Sequence, residues 1–366
     1  MLRWSRAALR ASAGALLAGM MIAAAVTAGE SPYSMADFGS VRKFDAHVHA
    51  NLEDSALLAE ARVDGFELLS INVDYPDFPP VSDQARIAKA LAVRDPARFH
   101  FATTFVVKGW TEPGWADAVN AGLTRAVADG ALAVKIWKNV GMVEQDAGGR
   151  FLSIEDPVFD PVVAHVQELG VPLIAHQGEP YNCWLPLAKM STENDRSYFA
   201  EHPQYHMYLH PELPRYESLM AARDRFVGRH VDLSFVGAHL ASLEWDVDRL
   251  GAFLDAHPNA VVDMAARMTQ LQYQSVRDRA RVRRFLIRYQ DRILYGTDLT
   301  EDPGSVAADA RREAHAFWTS DWRYLATRES QWVPAIRARV AGLALPRAVV
   351  RRIYHDNAER VFLRRR

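Results

Sequence analysis

The sequence contains one cysteine, Cys183, in 366 residues, so no disulfide can form within the chain. It also lacks glycine-rich phosphate-binding motifs, because neither G-x-G-x-x-G nor a Walker loop follows the first predicted strand. Acidic and basic residues nearly balance, with a formal net charge of −2 and no long basic tract. These absences argue against a disulfide scaffold, a Rossmann-type nucleotide site and a surface that attracts nucleic acid.

The first 28 residues differ in composition from the rest of the chain. Three arginines precede an apolar run of small residues over 11–28, and Val26-Thr27-Ala28 offers a signal-peptidase site. This pattern predicts a signal peptide over 1–28 and a periplasmic or secreted protein. An uncleaved N-terminal membrane anchor is the alternative, since the run is nearly long enough to span a bilayer. Removal of the segment would change the formal charge from −2 to −5, because it contains three arginines and no acid.

From residue 40 onward, short apolar runs alternate with longer amphipathic stretches, as in repeated βα units. Eight strands are predicted, over 42–48, 67–73, 100–106, 131–137, 172–176, 234–239, 260–265 and 293–297. Eight such units favour an α/β fold of the closed (β/α)₈ TIM barrel type, here over residues 29–366. The segment 177–216 shows no clean period, so it is predicted to be a lid-like insertion after strand 5.

Several predicted strands stop at a residue that can ligate a metal. The first strand contains Asp45, His47 and His49, which its two-residue period places on one face. Later strands end at His176, His239 and Asp298. Because active sites of such barrels lie at the carboxyl ends of the strands, these side chains are expected to meet there. Buried together without a ligand, they would be costly, so a divalent metal site is predicted.

In these motifs the chain resembles the amidohydrolase superfamily, in the branch that also contains metal-dependent decarboxylases. The resemblance rests on the ordered set Asp45-Ala46-His47-Val48-His49, His176, His239, Tyr295-Gly296-Thr297-Asp298 and the closing stretch 355–360. It implies that His47, His49, His176 and Asp298 ligate the metal, with zinc as the first choice and one ion or two. It also implies that His239 orients the reacting group or binds a second metal.

Two acid–base roles and one ambiguity follow. Asp298 is the candidate catalytic base, because a carboxylate touching metal and water can accept the proton of the water. His239 is the second catalytic candidate and would polarise the substrate carbonyl or steady the attacking group. Lys135 has three interpretations: a carboxylated lysine that bridges two metals, an ammonium that binds substrate, or a structural ion pair. Lys138 is one residue out of phase with Lys135 and is predicted to lie outside the barrel.

Further candidates for substrate binding follow the fifth and seventh strands. Arg267 is placed where its guanidinium could clamp a substrate carboxylate, although an ion pair with Asp263 or a lid acid is an equal alternative. Glu179, Tyr181 and Trp184 come just after His176 and are expected to overhang the metal. Packing within the loop is the competing interpretation for these three residues.

The combined features predict a metal-dependent hydrolase that acts on a C–N or C–O bond at a carbonyl, in an amide, ester or lactone, through metal-activated water. The first alternative is a metal-dependent non-oxidative decarboxylase of a small carboxylic acid, which the same ligands would serve. The third is a catalytically inactive binding barrel, because a fold does not determine a function. A small molecule is the expected partner, with no nucleic acid and no stable membrane partner unless the N-terminal segment is uncleaved. Assembly into a homo-oligomer is left open.

Overall fold

The computed structural model describes residues 30–364, so the predicted signal segment 1–28 lies outside the described residues. All eight predicted strands are present near their expected positions. In the described part of the chain, no helix is both long and apolar enough to cross a membrane. The strands are β1 (Lys43–Ala50), β2 (Phe66–Ile71), β3 (Phe99–Thr104), β4 (Val134–Ile136), β5 (Leu173–Ala175), β6 (Phe235–Gly237), β7 (Ala260–Asp263), β8 (Ile293–Leu294), β9 (Leu299–Glu301), β10 (Ser330–Val333) and β11 (Ala338–Ala341).

The sheet is parallel and closes on itself. Strands β1 to β8 are neighbours in chain order, and β9 pairs with the free edge of β1. The segment between β8 and β9 also follows β1, because Ala46 N donates to Tyr295 O at 2.9 Å and Asp298 N donates to His47 O at 2.8 Å. β8 and β9 are therefore two parts of one interrupted strand that joins β7 to β1. The fold is the (β/α)₈ barrel predicted from the alternation of strands and helices.

The helices surround this barrel and begin and end at recognisable signals. Ser55 Oγ accepts a hydrogen bond from Leu58 N at the start of α1, and the left-handed Gly170 ends α5. The helices are α1 (Ala56–Asp64), α2 (Val81–Arg94), α3 (Trp115–Ala128), α4 (Asn139–Met142), α5 (Asp160–Leu169), α6 (Glu193–Glu201), α7 (Tyr216–Arg229), α8 (Ala238–Ala241), α9 (Val247–Ala256), α10 (Met268–Arg288), α11 (Ala307–Ala326) and α12 (Arg347–Arg351).

Two layers of apolar side chains hold the barrel together. The larger cluster lies between the strands and the surrounding helices and includes the fully buried Trp318 and Trp322 of α11. A smaller cluster belongs to the opposite, inner face of the strands. Its members include Phe44, Ala46, Leu69, Ala102, Ala133, Ile174, Val236, Val261 and Leu294. Small and branched side chains alternate there, as expected for a barrel interior that is packed rather than hollow.

The chain closes the barrel from below with its last helix. α12 continues into two π-helical stretches, Arg352–Asp356 and Glu359–Leu363. Asn357, in the closing motif of the sequence, donates from Nδ2 to Ile293 O at 2.8 Å and to Gln290 O at 2.7 Å. These bonds satisfy backbone carbonyls at and just before the start of β8, so the motif anchors the strand that leads to Asp298.

The segment 177–216 contains short helices and no strand. It comprises α6 and the 3₁₀ helices Tyr181–Trp184, Leu187–Lys189, Pro203–Tyr205 and Met207–Leu209. Many short 3₁₀ turns explain why its sequence shows no clean period. The hairpin β10–β11 was not predicted; it is antiparallel and separate from the barrel sheet, and Arg337 next to it contacts Glu193 of α6 at 3.1 Å.

Candidate metal centre

The carboxyl ends of the barrel strands surround a cavity of about 230 Å³. Five of the residues singled out at the strand ends line it together: His47, His49, His176, His239 and Asp298. Lys135 of β4 lines the same cavity. The other lining residues are Val73, Tyr75, Phe78, Trp137, Lys138 and Thr300. The structure therefore brings the predicted ligands, both catalytic candidates and the ambiguous lysine to one place.

His47 is held in a single orientation by a buried carboxylate. Its Nδ1 donates to Asp263 Oδ2 at 2.9 Å, and burial lowers the pKa of its imidazole. The ring is therefore neutral with its proton on Nδ1, which leaves a lone pair on Nε2. Nε2 is buried without a hydrogen-bond partner among the described residues and lies 3.3 Å from Asp298 Oδ1.

His49 has the same tautomer for a similar reason. Its Nδ1 donates to the backbone carbonyl of Ile71 at 2.7 Å, so a neutral His49 also carries its lone pair on Nε2. That atom lies 3.2 Å from Asp298 Oδ1. Two imidazole lone pairs and a carboxylate oxygen thus converge, all within 4.8 Å of one another.

This convergence is the test of whether the site fits a metal. Three acceptors that face one another without a donor repel, and a cation removes that repulsion. Histidines whose other ring nitrogen donates to a carboxylate or carbonyl are the usual form of protein metal ligands. His176 supplies a further buried Nε2 without a partner in the described chain, with its ring centroid 4.2 Å from that of His239. The nitrogen and oxygen atoms at the cavity therefore fit the coordination of a divalent metal ion.

Asp298 reaches the cavity because its backbone is left-handed, with φ of 70° between β8 and β9. Such a conformation is uncommon for a residue other than glycine and is typical of functional sites. Its Oδ1 lies 3.3 Å from His47 Nε2 and 3.2 Å from His49 Nε2. The Asp298 carboxylate is therefore placed to ligate an ion held by these nitrogens and to accept a proton beside it.

His239 begins a left-handed turn of four residues, with φ between 53° and 58° from His239 to Ser242. This turn costs about 1–2 kcal/mol per residue in an L-peptide. It brings His239 Nδ1 within 2.9 Å of the carbonyl of Ala265, to which it donates. Burial lowers the pKa of His239 well below its usual range, so the ring is neutral and Nε2 carries a lone pair. That tautomer suits acceptance of a proton better than polarisation of a carbonyl.

Asp263, at the end of β7, connects these histidines. Besides His47, it accepts from His239 N at 2.8 Å and from Ala265 N at 3.1 Å. Burial raises the pKa of Asp263, but the hydrogen bond from His47 and the charge of Lys135 hold it at about 2. The sequence offered Asp263 only as a partner of Arg267, so its role as the support of His47 was missed.

Asp45 does not face the cavity with His47 and His49. It accepts from Trp318 Nε1 of α11 at 2.9 Å and from Thr297 Oγ1 at 2.6 Å. The prediction that its side chain points the same way was wrong, because the register of β1 against β2 shifts between Asp45 and Val48 and breaks the two-residue period. Asp45 instead fixes the backbone next to Asp298.

Lys138 lines the cavity, so its predicted position outside the barrel was wrong. β4 ends at Ile136 and the backbone of Lys138 is helical, with φ of −66° and ψ of −6°. The two-residue period of a strand no longer applies at that point. Lys135 is buried, and this burial lowers the pKa of its ammonium to about 8.

The four proposed substrate residues are not among those that line the cavity. Arg267 donates from Nη1 to Ala266 O at 3.0 Å, and its buried Nε has no partner in the described chain. Glu179 forms an ion pair with Lys138. Tyr181 stacks on Trp245 with ring centroids 4.4 Å apart, and Trp184 donates from Nε1 to Pro214 O at 3.3 Å. A substrate role for these residues stays a prediction.

An aromatic wall of Tyr75, Phe78 and Trp137 lines the cavity and was not predicted. Tyr75 and Trp137 have ring centroids 4.8 Å apart, and Tyr75 and Phe78 5.1 Å apart. Two of these residues follow β2, in a loop that carries no metal ligand. The only sequence signal was the cluster of aromatic residues directly after a predicted strand.

The comparisons with known proteins agree with this architecture. No curated protein matches the chain. Among solved structures, 2,6-dihydroxybenzoate decarboxylase from Rhizobium has a TM-score of 0.50 at 15% identity and covers 88% of this chain and 99% of its own. The 5-carboxyvanillate decarboxylase from Sphingomonas paucimobilis has a TM-score of 0.45 at 12% identity, covering 88% and 99%. Dihydroorotase from Campylobacter jejuni has a TM-score of 0.44 at 10% identity, covering 88% and 83%.

At 15% identity, the likeness to the Rhizobium protein concerns the fold alone. The family comparison goes further, because the model of the amidohydrolase family matches residues 105–364, which is more than half of the chain. This range includes His176, His239 and Asp298, while the two histidines of β1 precede it. The chain belongs to the amidohydrolase family.

Proposed function

We propose that the protein is a metal-dependent hydrolase that cleaves a C–N or C–O bond at a carbonyl of a small molecule. His47, His49, His176 and Asp298 would hold one divalent ion, with zinc as the first candidate. The observation that carries the proposal is the set of lone pairs that meet at the cavity. Asp298 Oδ1 lies within 3.3 Å of Nε2 of both His47 and His49, and His239 donates through Nδ1 to Ala265 O, which leaves its Nε2 free to accept a proton. Such a set suits removal of a proton from water.

A divalent ion at these ligands would supply Lewis acidity toward a carbonyl and would favour ionisation of water. Asp298 accepts the proton of the attacking water and returns it to the leaving nitrogen or oxygen. His239 accepts a hydrogen bond from the same water through Nε2 and so directs its lone pair toward the carbonyl carbon. The bond from His239 Nδ1 to Ala265 O fixes this direction.

Lys135 serves as a cationic hydrogen-bond donor in this scheme. Its side chain is buried at the cavity, and burial lowers the pKa of the ammonium to about 8. It therefore keeps its proton through neutral pH, where it can stabilise negative charge on the substrate or on the carbonyl oxygen during attack. Asp263 and Asp298 are the carboxylates whose charges favour this protonated form.

Non-oxidative decarboxylation is the second candidate, and the cavity wall is the observation that favours it. Tyr75, Phe78 and Trp137 suit a planar ring, and Lys135 and Lys138 suit a carboxylate. The Rhizobium protein with the same fold is named a decarboxylase of an aromatic acid. This reaction needs a proton donor for the carbon that loses carbon dioxide, and the buried ammonium of Lys135 is placed at the cavity to supply it.

Isotope incorporation separates the two reactions. Protein loaded with zinc is incubated with small carboxylate-bearing amides, esters and lactones, and separately with hydroxybenzoates, in water enriched in ¹⁸O and in D₂O. Hydrolysis places ¹⁸O in the product acid, whereas decarboxylation releases carbon dioxide and places deuterium on a product carbon. We expect ¹⁸O incorporation that falls at least about 100-fold in His239→Asn.

The matched control is His257→Asn, because His257 follows the end of α9, packs on Phe253 and is not among the residues that line the cavity. Deuterium on carbon without ¹⁸O in the product would replace the hydrolase with the decarboxylase. Neither label in any product, from protein shown to contain metal, would favour the inactive binding barrel.

A further inference from the structure

Lys138 occupies a position that the hydrolytic scheme does not use. It lies two residues after the end of β4 and lines the same cavity as the histidines, with 20% of its side chain exposed. Its ammonium forms an ion pair with Glu179, which is 18% exposed and does not line the cavity. The lysine therefore has a counter-ion on its outer side and faces the cavity on the other.

A continuous run of ring contacts joins Lys138 to the proposed metal ligands. His49 and Phe78 have ring centroids 5.1 Å apart, and the run continues through Tyr75 to Trp137. Lys138 Nζ lies 5.3 Å from the centroid of the Trp137 ring. Lys138 is thus at one end of the aromatic wall and His49 is at the other, so a flat molecule along the wall would reach both.

The charges of the cavity favour an anion at the lysine end. Among the described residues that line the cavity, Lys135 and Lys138 are cationic, and Asp298 carries the one carboxylate. Bound divalent metal would add further positive charge next to Asp298. A cavity with this excess attracts a negatively charged ligand and orients it.

The position of Glu179 is fixed by the backbone of Gly178 as well as by the ion pair with Lys138. The carbonyl of Gly178 accepts a hydrogen bond from Ser242 Oγ at 2.8 Å, and Gly178 has φ of 109°. The backbone that carries Glu179 is therefore fixed to the turn that carries His239. The Glu179 carboxylate therefore contacts Lys138 from outside the cavity. There it competes with any anion in the cavity for the Lys138 ammonium.

We propose that Lys138 binds an anionic group of the substrate at the Trp137 end of the aromatic wall, and that Glu179 is the counter-ion this group displaces. The proposal rests on the proposed function only in that the ligand of the cavity is taken to be the substrate. It makes Lys138 a specificity-determining residue that selects molecules with a negative charge at a set distance from the reacting carbonyl.

Benzoate and benzamide test this proposal, because both are planar and only benzoate is charged. Their affinities for the zinc-loaded protein are measured by titration calorimetry, which needs no turnover. We expect wild type to prefer benzoate and Lys138→Met to bind it about tenfold more weakly, since a charge-assisted hydrogen bond is lost. Lys138→Arg should restore most of the affinity, and benzamide binding should be unchanged in both variants.

Glu179→Gln gives an effect of the opposite sign. Removal of the competing carboxylate should strengthen benzoate binding by about two- to fivefold, a gain that damage to the fold would not produce. Lys89→Met is the matched control, because Lys89 pairs with Asp129 on the surface and should leave both affinities unchanged.

Equal affinity of wild type for benzoate and benzamide, or an unchanged benzoate affinity in Lys138→Met, would overturn the proposal. Loss of benzoate binding in Lys135→Met but not in Lys138→Met would also overturn it, and would place the anion beside Lys135. Failure of the hydrolase proposal is read separately, from the absence of ¹⁸O in products, and leaves these affinities interpretable.

Discussion

His47 Nδ1 donates to Asp263 Oδ2 across 2.9 Å, and both side chains are almost fully buried. The bond joins the first strand of the barrel to the seventh and leaves His47 Nε2 directed at Asp298. Asp263 also accepts the backbone N–H of His239, so a single carboxylate orients one proposed ligand and one proposed base. A residue outside the proposed ligand set therefore orients both the proposed ligand His47 and the proposed base His239.

Replacement of Asp263 by Asn is expected to weaken metal binding by about 10- to 100-fold. The two carboxylate oxygens of Asp263 accept three hydrogen bonds. An Asn side chain has one oxygen, so its NH₂ group would face one of these N–H donors. His47 would then lose the bond that fixes its tautomer. Competition with a chelator measures the affinity for zinc directly.

Asp255→Asn is the control, because Asp255 pairs with Arg288 on the surface. Equal zinc affinity in Asp263→Asn and the control would show that His47 does not need its carboxylate partner. It would also remove the basis for assigning His47 as a ligand through Nε2.

Protein purified without added metal is expected to contain one divalent ion per chain, unchanged in Lys135→Met. Among residues 30–364, the other group near the cavity consists of His47, His239 and Asp263. Asp263 is already bonded to His47 Nδ1 and to two backbone N–H groups, and His47 Nε2 faces the first proposed ion, so His239 Nε2 is the one ligand atom left in the group. One nitrogen is too few to hold a second ion. Metal analysis by mass spectrometry gives the count.

Removal of the ion by a chelator should lower the melting temperature, because a ligand at about 100 times its Kd stabilises the folded state by about 2.7 kcal/mol. Two ions per chain that fall to one or none in Lys135→Met would instead establish a bridging carboxylated lysine. An ion count of zero in protein that remains active would end the metal mechanism.

Strand positions and strand-end residues were predictable because both depend on local pattern. The β-branched and apolar runs gave all eight barrel strands, and the barrel rule then placed His47, His49, His176, His239 and Asp298 together. No neighbour far away in the sequence had to be known for this step. The interrupted eighth strand was predicted only up to residue 297, because Asp298 breaks the extended pattern with its positive φ.

Features that depend on departures from regular geometry were not predictable. The side-chain direction of Asp45 depends on a register shift in β1, and that of Lys138 depends on the helical backbone after β4. Neither feature changes the pattern of apolar and polar residues, and a prediction from that pattern assumes regular strands. The left-handed turn at His239 contains no glycine, so the usual signal for positive φ is absent.

Asp321→Asn is expected to remove part of the pH dependence of stability. Burial raises the pKa of the Asp321 carboxyl to about 7, although Tyr295 donates a hydrogen bond to it at 3.0 Å. Between the ordinary pKa of 3.8 and about 7, the folded state therefore keeps a proton on Asp321 that the unfolded state has released. Stability contributed by this group is present at low pH and is lost as pH rises toward 7.

The free energy of unfolding of wild type should fall, relative to the variant, by about 2–3 kcal/mol between about pH 5 and about pH 8. Asn keeps the oxygen that accepts from Tyr295 and cannot ionise, so the comparison isolates the proton. Urea unfolding at the two pH values measures the difference. Parallel pH profiles for wild type and variant would show that Asp321 is ionised in the folded protein.

Gly178→Ala is expected to destabilise the protein by about 1–3 kcal/mol. Gly178 has φ of 109°, which an L side chain rarely adopts, and an added Cβ would lie 3.2 Å from Met220 Cε. Gly39→Ala is the matched control, because nothing lies within 4 Å of its added Cβ and its φ is not in the positive region. Thermal or urea unfolding of the two variants gives the comparison.

Equal stability of the two variants would mean that the chain after His176 tolerates another backbone path. In that case the fixed position of Glu179 behind Lys138 would no longer follow from the turn, and Glu179→Gln would lose its expected effect on anion binding.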